Sequence, residues 1–141
     1  NERGIRNAPL MAAKFLQRKE KVDQLISSDA KRAQETAGYF ATALGLRTEE
    51  ILKEGRIYEA TVPSLLALIN AFPTTVDRVM MFGHNPGFSN LIDHLTGDSL
   101  GDLPTCGIAR LDLFVSDWRH VIKGTAHLAW LDFPKRYEPA R

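Results

Sequence analysis

The sequence holds one cysteine, Cys106, among 141 residues. An internal disulfide is excluded, and a reducing compartment such as the cytoplasm suits the chain. No apolar run approaches the ~18 residues of a membrane-spanning helix, and the opening residues do not read as a signal peptide. Charge of one sign is also lacking. Lys and Arg total 18 against 17 Asp and Glu, a net charge of +1, so no global field draws the chain to nucleic acid or to a membrane surface. There is no Walker loop and no GxGxxG. The four histidines have no metal-ligand spacing, and with one cysteine a zinc site is not expected. Repeats, low-complexity tracts and linkers are absent too. What remains is an ordinary globular composition, 44% hydrophobic and 25% charged, long enough for one domain with its own core.

Periodicity orders the chain. Ile5, Ala8, Ala12, Phe15 and Leu16 recur at helical spacing over residues 5–18, with Pro9 expected in an early turn. Val22 to Ile26 reads as a strand closed by Ser27-Ser28-Asp29. Ala30, Ala33, Ala37, Phe40, Ala41 and Leu44 form an amphipathic helix ended by Gly45. Glu49 to Leu52 is a second strand despite its charge, and residues 56–60 are a loop. Val62 to Phe72 is a helix, Val76 to Phe82 a strand, and Phe88 to Leu95 a helix that stops near Gly97. A loop over residues 97–106 leads to a strand through Ile108, Leu111, Leu113 and Val115. Ser116-Asp117 is expected to turn the chain into a second strand, Trp118 to Lys123, and His127 to Leu131 can add a third. This order predicts an α/β class: a three-layer sandwich of helices on a mostly parallel sheet, with an antiparallel C-terminal hairpin. It also opens on a helix without an initiator methionine. A strand upstream of Asn1 would complete the sheet better.

Three features fall at the carboxyl ends of expected strands, where open α/β sheets keep their sites. Gly83-His84-Asn85-Pro86-Gly87 is a compact turn before a helix. The N–H groups of a helix start suit a phosphate or carboxylate, and Gly83 and Gly87 let backbone approach a ligand. His84 there can donate a hydrogen bond or act as acid or base. The same residues also make a plain tight turn. Arg32 lies in the first turn of the second helix, off its apolar stripe and against the helix dipole. Its guanidinium fork can hold a phosphate, or it can be a solvated surface arginine. Glu59, in the loop after the second strand, is either a proton donor or a surface carboxylate.

Residues 27–37, Ser-Ser-Asp-Ala-Lys-Arg-Ala-Gln-Glu-Thr-Ala, resemble the S-S-x-x-x-R-A-x-x-T-A motif of the histidine phosphatase superfamily. Gly83-His84-Asn85-Pro86-Gly87 resembles the G-H-N-P-G of its SixA-like branch, the small phosphohistidine phosphatases. Asn1-Glu2-Arg3-Gly4 resembles the start of that family's first helix, and residues 103–109 its loop-to-strand segment. The resemblance implies a phosphoglycerate mutase-like fold. It implies a phosphatase without metal or cofactor, acting on a phosphorylated protein or a small phosphoester. Arg32 would clamp the phosphoryl group, His84 would bond its oxygens, and Gly83 and Asn85 would border it. Glu59 stands where the wider superfamily often has its proton donor. The family's nucleophile is a histidine in an Arg-His pair that ends a strand before the first helix. The chain's one Arg-His, Arg119-His120, lies in the expected hairpin and cannot be its equivalent. That strand and its histidine are expected upstream of residue 1.

Overall fold

The computed structural model describes residues 2–139. The chain runs α1 (Glu2–Gln17), β1 (Gln24–Ser27), α2 (Lys31–Ala43), β2 (Ile51–Lys53), α3 (Val62–Asn70), β3 (Val79–Phe82), α4 (Gly87–Thr96), β4 (Ile108–Leu113) and β5 (Ala126–Asp132). β1 is the centre of a parallel sheet in the order β2-β1-β3, with Ser27 opposite Phe82 and Lys53. β4 and β5 form a separate antiparallel pair.

Strand alternation splits the core into two. Leu25 faces one cluster with Met11, Ala12, Phe15, Ala37, Phe40, Ile51 and Phe82. Ile26, its neighbour in sequence, faces the other with Ile57, Leu65, Leu68, Leu91 and Leu95. α1 and α2 therefore cover one face and α3 and α4 the opposite face, which makes the expected three layers. The alternation continues in the hairpin, where Ile108 and Trp130 join the first cluster and Leu111 and Leu113 the second.

A cleft of about 640 Å³ separates β3 from β4. Successive residues 76–82 line one wall, and 106–111 line the other. Neighbouring residues of a strand point to opposite faces, so lining by every one of them means that the cleft runs along strand edges. Ala8, Met11 and Phe15 of α1 close it on one side, and Leu91 and Leu95 of α4 on the other. Hydrogen bonds tie residues 118–124, between β4 and β5, to α3, α4 and the segment before β3. The Trp118 indole N–H donates to Val76 O at 2.8 Å, Asn70 Nδ2 donates to Trp118 O and Val121 O, and Gly124 N–H donates to His94 O.

Four expectations need correction. Residues 118–123 are not a strand. Asp117 accepts the Arg119 N–H and caps a 3-10 turn over Trp118–His120, and fully buried Val121 plugs the second core cluster. The hairpin partner of β4 is instead β5, which includes the expected third strand. Pro9 stands in the middle of α1, not in its first turn. Burial of Ala8, Met11, Ala12 and Phe15 on that helix outweighs the ~3 kcal/mol that an internal proline costs. Pro86, whose missing N–H suits the first turn of a helix, instead precedes α4 as its N-cap residue. Glu49 and Glu50 of the expected second strand belong to a 3-10 turn over Thr48–Glu50, because Arg47 N–H finds the Glu50 carboxylate at 2.7 Å. Asn1, part of the opening motif, lies outside the described residues.

Candidate active site

The carboxyl ends of β1 and β3 lie side by side, and each runs directly into a short turn and a helix start. β1 passes through Ser28-Asp29-Ala30 into α2, and β3 passes through residues 83–86 into α4. The sheet register thus fixes Ser28 beside the His84 turn, and the Ser28 N–H donates to Phe82 O at 2.9 Å. Ser28 is fully buried. Its Oγ accepts the Ala30 N–H at 3.2 Å and lies 2.9 Å from His84 Nε2. Its carbonyl accepts from Gln34 Nε2 at 2.7 Å and from Ser27 Oγ at 2.8 Å. Every polar atom of this serine is engaged, so it ties β1, β3, the start of α2 and the histidine into one unit.

His84 is half-buried. Tyr58 packs on it with ring centroids 5.4 Å apart and planes at 86°. The close approach of the 58–60 segment depends on two glycines. A Cβ at Gly87 would fall 2.7 Å from Ala60 O, and one at Gly83 would fall 2.7 Å from Ile57 Cγ2 and against the Phe88 ring. Both glycines let neighbouring protein pack this closely. Gly83 follows the carboxyl end of β3, directly before His84.

Asn85 is committed to holding the turn. Its Nδ2 donates to Leu103 O at 3.1 Å, and its Oδ1 accepts from Ser89 Oγ at 2.7 Å and Ser89 N at 3.3 Å. Ser89 Oγ in turn accepts the Leu103 N–H at 2.8 Å. The turn is thereby stitched to the loop before β4.

Arg32 sits one residue into α2, exposed, and its guanidinium makes no hydrogen bond or ion pair among the described residues. α2 has no acidic residue in its first turn and no side-chain cap. The helix start and Arg32 together offer positive charge at the sheet end that carries His84. Glu59 is exposed, with φ +50°, on a loop that borders a shallow depression with Arg56, Tyr58, Thr61 and Ser64. It makes no hydrogen bond or ion pair with His84. Ser28 and His84 are in direct contact. Arg32 and Glu59 stand at the same end of the sheet, with no hydrogen bond or ion pair to either of them.

Sequence reasoning missed Ser28 and Tyr58. Ser28 was visible in the Ser27-Ser28 pair, but nothing local marks which serine reaches across to another strand. Tyr58 carries no periodic or motif signal. The other histidines play no part here: His94 belongs to α4, His120 is exposed in the 3-10 turn, and His127 stacks on Phe114 at 5.4 Å. No helix among the described residues is long and apolar enough to cross a membrane.

Comparison with known proteins bears on this arrangement. The family model of the histidine phosphatase superfamily (branch 1) matches residues 1–66. No curated protein matches the chain. Among solved structures, SixA from Agrobacterium tumefaciens is 27% identical, with a TM-score of 0.77 over 95% of this chain and 82% of that one. A protein histidine phosphatase SixA complexed with tungstate superposes with a TM-score of 0.78 at 21% identity, over 94% of this chain and 81% of that one. A mycobacterial glucosyl-3-phosphoglycerate phosphatase gives 0.60 at 17% identity, over 86% and 82%. The chain has the phosphoglycerate mutase-like fold of the histidine phosphatase superfamily, and it resembles the SixA phosphohistidine phosphatases.

Proposed function

We propose that this chain forms a metal-independent phosphatase that works through a phosphohistidine intermediate. Its substrate class is protein-borne phosphohistidine or a small phosphoester. The observation that carries the reading is the fixed pair of strand ends, with His84 anchored on β1 through Ser28 and Arg32 on the adjoining helix start. Likeness to phosphatases of this fold supports the coarser reading, a phosphatase.

The attacking histidine is the one that the resemblance assigns to a strand ahead of α1, and we place that strand in the cleft between β3 and β4. Support comes from the cleft's shape. Both walls are strand edges, whose backbone N–H and C=O groups only another extended chain pairs fully. A strand leading through α1 into β1 is also the βαβ unit expected in a parallel sheet. Its carboxyl end would meet those of β1 and β3.

In the reaction, an imidazole nitrogen attacks phosphorus in line and the bond to the leaving group breaks. Arg32 holds two equatorial oxygens through its fork, and His84 donates to an oxygen as charge develops. Glu59 gives the leaving group its proton. Phosphohistidine, a phosphoramidate, needs less of this help than an ester. Water then attacks the phosphohistidine and releases inorganic phosphate.

The experiment is phosphate release from an aryl phosphate and from a phosphohistidine protein by the native full-length protein, with acid-labile, alkali-stable label trapped on quenching. The alternative is a non-catalytic phosphate- or phosphoprotein-binding relative. It predicts binding of phosphate or tungstate with no turnover and no label.

A further inference from the structure

We infer that Ser28 is a positioning residue which fixes neutral His84 as its Nδ1–H tautomer, leaving that N–H as the donor offered to a ligand. The argument is an accounting of protons around one buried oxygen. Ser28 is fully buried, so water does not complete its hydrogen bonds. One Oγ lone pair already receives the Ala30 N–H at 3.2 Å. The remaining partner is His84 Nε2 at 2.9 Å, and no other acceptor for the hydroxyl proton lies within reach among the described residues. If His84 carried its proton on Nε2, that N–H would donate to Oγ. The serine's own proton would then be buried without an acceptor. With the proton on Nδ1, the serine donates to the Nε2 lone pair and every group at the junction is satisfied.

The consequence reaches the site. Free histidine in water favours the Nε2–H form, so the fold reverses the ordinary preference. Tyr58, packed perpendicular to the imidazole, restricts its tilt. Nδ1 has no hydrogen-bond partner among the described residues, so its N–H is unspent until a ligand arrives. Ser28 is also joined to the helix that carries Arg32, through Ala30 N–H and Gln34 Nε2. It therefore sets the two anion-facing groups from one point. That the ligand is a phosphoryl oxygen rests on the phosphatase reading; the tautomer does not.

Long-range ¹H–¹⁵N spectra of the native protein, at a pH where imidazole is neutral, read the tautomer of His84 directly. The wild type is expected to show a protonated Nδ1 and a bare Nε2. Ser28→Ala is expected to lose that pattern and move to the Nε2–H form with its backbone spectrum otherwise folded. Should the alanine variant not fold, Ser28→Cys, of similar size and a much weaker donor, replaces it with the same expected change. A wild-type His84 protonated on Nε2, or a folded variant whose tautomer does not change, overturns the assignment. Phosphate release plays no part in these spectra, so failure of the phosphatase reading leaves them interpretable, and the reverse also holds.

Discussion

Replacing Asn85 by alanine would isolate what holds the histidine-bearing turn in place. The side chain makes three hydrogen bonds: to Leu103 O at 3.1 Å, from Ser89 Oγ at 2.7 Å and from Ser89 N at 3.3 Å. The bond to Leu103 O passes easily to solvent, because Asn85 itself is exposed. Those from Ser89 do not. Ser89 is 2% exposed, and its hydroxyl proton loses its acceptor while the oxygen still receives Leu103 N–H. An unsatisfied buried hydroxyl costs about 1–3 kcal/mol, against a few tenths for each bond that water takes over. The expected destabilisation is about 2 kcal/mol, read as a lower urea midpoint at unchanged m-value. Ser89→Ala in the Asn85→Ala background removes the stranded hydroxyl, so the double-mutant cycle should show coupling of about 1 kcal/mol. A single-variant loss below ~0.5 kcal/mol, or additive behaviour in the cycle, would refute the reasoning that this pair stitches the turn to the loop before β4.

Other consequences can be checked separately. Gly87→Ala puts a methyl group 2.7 Å from Ala60 O. Main chain cannot change rotamer to escape, so stability should fall by about 1–3 kcal/mol, with amide shifts at Tyr58 and Glu59 reporting a displaced loop. Burial pushes the Cys106 thiol up from its ordinary range, so aromatic-disulfide labelling near neutral pH should run slower than for a free cysteine and accelerate as pH rises. The hydrogen bonds from the Arg119 side chain and N–H hold Asp117 at about 2. Its folded value lies below the unfolded one, about 3.9. Its contribution is therefore complete above that value and lost as pH falls towards 2. Asp117→Asn should flatten this part of the stability profile, measured by urea midpoints across that acid range.

Much of this fold was legible because burial imposes its period on the residues. Leu25 and Ile26 enter opposite cores, and the helical stripe of Ala33, Ala37, Phe40 and Ala41 covers the first of them. Gly45 and Gly97 end their helices with φ near +75°, which glycine adopts without strain. The hairpin misled because Trp118, Val121 and Ile122 are apolar for unrelated reasons. Trp118 spans to Val76 and packs on Phe72, Val121 fills a gap between α3 and the hairpin, and Ile122 is largely exposed. Apolar spacing there records tertiary packing, not pleat. Of the site, Arg32 and His84 were legible from residue type and position at strand ends. Ser28 was not, because its partner lies 56 positions away and only the parallel register of β1 with β3 joins them.

The central claim is that Arg32 and His84 act on one phosphoryl group. Initial rates of phosphate release from a phosphohistidine protein by the native full-length protein, His84→Ala and Arg32→Ala test it most directly. The account predicts that each substitution lowers kcat/KM by about 100-fold or more while the fold is retained. Near-wild-type rates in both folded variants would contradict it.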